Sequence, residues 1–103
     1  MGHLTYGSDT FEIDDRTLLH LQTVITQKLR RHERFMLTLE TKAVGVPVVC
    51  SLWVSDTAEL GFAFAGSRQP RLEHEWLEQM MQASFSSHGL DLRAVARQLS
   101  RAG

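Results

Sequence analysis

The chain has 103 residues, 43% hydrophobic and 22% charged, with a net charge of -1 at pH 7. That describes one small domain that buries a core and has no room for a second. The near-zero charge excludes a globally basic nucleic-acid binder, and the single cysteine excludes a disulfide framework and a Cys-rich zinc site.

The elements follow in chain order. Residues 3–6 and 10–13 read as two short strands around Gly7-Ser8-Asp9, which is turn chemistry. Asp14 and Asp15 supply an N-cap and first-turn negative charge for a helix over about 15–32. Its apolar residues Leu18, Leu21, Ile25 and Leu29 fall at helical spacing, with Leu19 and Val24 widening the stripe. Strands are expected over 34–41, 46–54 and 60–65, joined by short connections as an antiparallel meander. In the second of these, Val46, Val48, Cys50 and Leu52 share the face expected to meet the core. Val49, Ser51 and Trp53 share the other.

A second helix is expected over 72–86, on a stripe of Leu72, Trp76, Met80 and Ala83, with Gly89 placed for its C-terminal cap. Residues 90–100 fit a strand (Leu90, Leu92, Ala94) or a helix (Leu92, Val95, Ala96, Leu99). The sum is an α+β domain: two helices on a small, mainly antiparallel curled sheet.

No basic segment followed by an apolar run opens the chain, and no stretch approaches the ~18 apolar residues of a membrane span. Tyr6 stands where a myristoylation motif wants Ser or Thr. A reducing cytoplasm is the expected compartment, with Cys50 a buried small hydrophobe and no membrane partner.

The motifs of catalysis and cofactor binding are missing. His74 and Glu78 are one helical turn apart, but His-Glu-Trp-Leu-Glu lacks the second histidine of a zinc-binding H-E-x-x-H. Ser84, Ser86, Ser87 and His88 are close in sequence, which is no evidence for a spatial triad. No glycine-rich phosphate loop occurs. The string Glu40-Thr41-Lys42-Ala43-Val44-Gly45 approaches the K-x-D-G of covalent nucleotidyltransferases, with Val44 in the acidic position. A complete adenylation domain does not fit into 103 residues. No catalytic residue, metal or cofactor is therefore assigned.

Two surface features remain. Residues 1–27 carry net -3, residues 28–34 net +3, residues 35–66 net -2 and residues 67–103 net +1. Neutrality is thus a cancellation that hides a basic knot, Lys28, Arg30, Arg31 and Arg34, suited to phosphate or an acidic partner. Trp53 with Val49 forms an apolar face on the middle strand, suited to another protein or a second copy.

The residues also assemble into a family pattern. Met-Gly-x-Leu-x-Tyr-Gly opens the chain, followed by Phe-Glu-Ile-Asp-Asp-Arg (11–16), Lys-Leu-Arg-Arg (28–31), Ser-x-Trp (51–53), Glu-Trp-Leu-Glu (75–78) and Ser-x-Gly-Leu-x-Leu (87–92). Over about 1–92 this resembles a family of small actinobacterial proteins of similar length, many labelled ATP-dependent DNA ligase. The resemblance implies a single cytoplasmic α+β domain and carries over no active site; its usual ending favours a strand at 89–94. Three readings result: a non-catalytic interaction module that binds itself or another protein; a nucleic-acid-associated accessory protein using the basic knot; and a ligase-type enzyme with Lys42 as nucleophile.

Overall fold

The computed structural model describes residues 1–66 and 70–94. Strands β1 (Gly2–Tyr6) and β2 (Asp9–Ile13) form an antiparallel hairpin in which Tyr6 pairs with Asp9 and Gly2 with Ile13. Helix α1 (Asp15–Arg30) starts where the Asp14 carboxylate accepts from the Thr17 backbone N–H at 3.2 Å and from its hydroxyl at 2.7 Å. Of the expected stripe, Leu18, Leu21 and Ile25 enter the core with Val24 beside them, while Leu29 packs half-buried against it. The helix closes at Arg30, not at 32, because His32 takes a left-handed conformation, φ 57°. The His32 N–H then donates to the Leu29 carbonyl and the Glu33 N–H to that of Lys28, which satisfies the last turn.

Strands β3 (Phe35–Ala43) and β4 (Val46–Val54) make a second antiparallel hairpin. β5 (Leu60–Ala63) follows, then α2 (His74–Ser84) and the short β6 (Leu90–Asp91), which runs parallel to β3. The meander does not form. β5 pairs with β1, so the strands make two three-stranded sheets of order β2-β1-β5 and β4-β3-β6. An isolated two-stranded hairpin is marginal in water, so β1–β2 needs a third strand. The turn closed by Ala58 N–H on the Ser55 carbonyl, and the bond from Gly7 N–H to the Glu59 carbonyl, lead β5 there.

The tail also departs from expectation. The strand read at 89–94 is confined to Leu90–Asp91 and gives way to a helical turn over 92–94, while 95–100 lies outside the described residues. Gly89 is not the cap of α2, whose C-cap is Phe85. It has φ 76° and lies so close to the Met36 carbonyl that any Cβ would collide with it. Glycine is what lets β6 approach β3.

The two helices are locked together through one histidine. His20 is fully buried; its Nδ1–H donates to the Arg16 carbonyl at 2.7 Å, and its Nε2 accepts from the Glu73 N–H at 2.9 Å. Glu73 is the N-cap of α2, and the ring satisfies that residue's own N–H, tying the start of α2 to α1. Trp76 stacks on the same ring with centroids 4.1 Å apart, and Arg16 pairs with Glu73. Burial, the largest cause, holds the His20 pKa below its ordinary 6.5 against the opposing bond to Arg16. Among the described residues no helix is long and apolar enough to cross a membrane.

Candidate interaction surface

β4 reads Val-Pro-Val-Val-Cys-Ser-Leu-Trp-Val, nine residues without a charge. It enters from a two-residue turn in which both Val44 (φ 53°) and Gly45 (φ 77°) have positive φ, the geometry that matches the twist of a hairpin. Glycine suits it. Val44 does not, because a β-branched residue is strained there, and it stands fully exposed at the tip.

The strand's two ends differ. Near Val54, side chains alternate as expected: Leu52 and Val54 are buried, and Trp53 is 51% exposed. Toward the tip the hairpin outruns the core. Val46 and Val48, read as core-facing, are 60% and 37% exposed, and Cys50 is half-buried. Val49 on the opposite face is 51% exposed. The sheet order leaves β4 at an edge, since β6 takes the other side of β3. Exposed apolar edges of this length normally carry lysine or are covered.

The basic knot does not survive as a set. Lys28 is 2% exposed and leaves the phosphate-contact group. Its Nζ sits 3.2 Å from Glu33 Oε2, 3.8 Å from the centre of the Phe85 ring and 5.4 Å from that of Phe35. The helix-closing bond from Glu33 N–H to the Lys28 carbonyl is what folds the carboxylate back under the ammonium. Arg31 shares that carboxylate at 3.4 Å. Arg30 and Arg34 are exposed and make no ion pair among the described residues.

The structure also joins the two sequence features. Lys28, Arg34 and Trp53 line one cleft of about 500 Å³, together with Met36 and Phe85. Phe85 is 58% exposed and was not singled out from the sequence, because a residue at a helix end gives no periodic signal. Val49, Arg30 and Arg31 lie outside that lining. Lys42 is exposed on β3 opposite Pro47, beside the turn that closes the hairpin. Among the described residues no cluster of three or more His, Cys, Asp or Glu could hold a metal ion.

A family model described as a domain of unknown function (DUF7882) matches residues 1–95. The chain belongs to that family. No curated protein and no solved structure matches it. In this DUF7882 domain the match runs through both hairpins and both helices, so the exposed strand lies within the family's extent.

Proposed function

We propose that this domain is a non-catalytic interaction module that engages protein through the free edge and outer face of β4, and that it self-associates there. One observation carries the reading: a nine-residue uncharged edge strand that exposes Val46, Val48, Val49 and Trp53. Such an edge offers a row of unpaired backbone groups as well as apolar contact, and it pairs readily with another strand.

Amide hydrogen exchange tests it. In an antiparallel hairpin every second residue of the edge strand points its backbone away from the partner strand, and here these are Val49, Ser51 and Trp53. Their amides should gain protection as protein concentration rises. Exchange at unprotected rates over the whole range would contradict the reading.

A role beside single-stranded nucleic acid is the second reading. Arg34, Trp53 and Phe85 around one cleft favour it, as exposed aromatics beside a cation. The loss of Lys28 to Glu33 weakens it. Titration with single-stranded DNA and RNA at two salt concentrations decides: no salt-dependent binding at low salt ends it.

A further inference from the structure

The free backbone groups of β4 are not uniform, and their irregularity selects a partner. The turn at Val44-Gly45 makes Ala43 and Val46 a hydrogen-bonded pair, and bonded pairs alternate from there to Phe35 and Val54. Val46, Val48, Cys50, Leu52 and Val54 therefore direct N–H and C=O toward β3. Pro47, Val49, Ser51 and Trp53 direct theirs outward. Two outward positions are special. Pro47 offers a carbonyl and no N–H. The Trp53 carbonyl already accepts from the Tyr6 hydroxyl at 2.8 Å.

Resting on the function proposed above, we infer that the occupant of this edge is a second copy of the chain, paired antiparallel with the two-fold axis at Cys50. In that register Val49 faces Ser51 of the second copy, and the two exchange both backbone bonds. Beyond that exchange the pairing ends in the same way on both sides, because Pro47 has no N–H to give and the Trp53 carbonyl is held by Tyr6. The two outward residues of β4 that offer both a free N–H and a free carbonyl, Val49 and Ser51, are thereby matched.

Moving the axis by one residue loses this match. Centred on Val49, the pairing sets the Ser51 carbonyl against Pro47 and leaves it bare. Centred on Ser51, it brings the Val49 N–H to a carbonyl that Tyr6 already holds, and Pro47 runs past the strand end. The Cys50 register also sets Val48 against Leu52, which covers a valine that the hairpin leaves exposed. With no charge anywhere in β4, two copies meet without repulsion.

Cys50 is a probe of its own register. Directly opposite residues in a non-hydrogen-bonded pair have Cα atoms about 4.5 Å apart, within disulfide range. Micromolar protein is treated with diamide, which takes up the two electrons and two protons released as two thiols become a disulfide. Three chains are compared on a non-reducing gel: wild type, Cys50→Ala/Val49→Cys, and Cys50→Ala/Ser51→Cys. The wild type should yield a species of twice the 11.7 kDa chain mass. The other two should stay single, because their cysteines lie beyond the roughly 7 Å limit for a bridge. Preferential cross-linking at position 49 or 51, or none at all three, overturns the inference. Protection of the Val49 and Ser51 amides in either case leaves the interaction module standing, and its absence removes both.

Discussion

Lys28 and Glu33 show how a charge read from sequence changes meaning once it is buried. The ammonium is enclosed by Phe35, Phe85 and the Glu33 carboxylate, so its value is internal. Glu33→Ala should cost about 2 kcal/mol, because it strands a buried cation, with some relief from the carboxylate's partial exposure. Lys28→Met should cost less, within about 1 kcal/mol, since it fills the same apolar sleeve and leaves Glu33 to Arg31 and water. Urea unfolding of the two variants checks the order. His20 predicts a pH dependence. Its folded pKa lies below the ordinary 6.5, so the unfolded chain takes up the proton first. The stabilisation is fully present above pH 6.5 and is lost as pH falls below that value toward the lowered one. Protonation also turns Nε2 into a donor facing the Glu73 N–H. Melting temperature should drop on acidification more steeply in wild type than in His20→Asn; equal slopes would contradict the assignment.

At the scale of elements, the hairpin of β3 and β4 was legible in its alternation and its turn, and α1 in its stripe and its Asp14 cap. Pairing between elements was not. Short connections argue for a meander, yet β5 completes the sheet of β1, because nothing in residues 60–63 encodes which edge they will join. The exposure of Val46 and Val48 was equally hidden: period-2 alternation gives faces but not how far a hairpin outruns its core. Val44 belongs to this scale, since its strain sits in the turn that sets the register. Val44→Asn should raise stability by about 1 kcal/mol, as asparagine accepts positive φ in such a turn. An unchanged or lowered melting temperature would mean that the valine is held there by contacts not evident in one copy.

For the whole molecule, the class was legible in full, α+β in a single small domain, and the site only in part. Trp53 and Val49 were marked because an apolar face on a strand has a sequence period. The basic knot was misread at Lys28 because burial has no signature in a run of charges. Phe85 and the Tyr6 bond to Trp53 were invisible, since they join residues far apart in the chain. What unites the structure is an asymmetry: the helices and the β1 sheet share one core with the β3–β4 hairpin, β6 takes the far edge of β3, and among the described residues no strand pairs with the outer edge of β4. The most direct test is the solution mass by light scattering of wild type, Ser51→Pro and Val49→Lys. Ser51→Pro removes an outward N–H without touching the backbone bonds to β3, at the loss of the exposed 2.9 Å hydroxyl bond to Thr38, and an edge strand tolerates proline there; unchanged circular dichroism confirms that each variant folds. Wild type at twice 11.7 kDa, with both variants at 11.7 kDa, is the predicted result. A wild-type chain that stays at 11.7 kDa up to the highest soluble concentration would contradict self-association through β4.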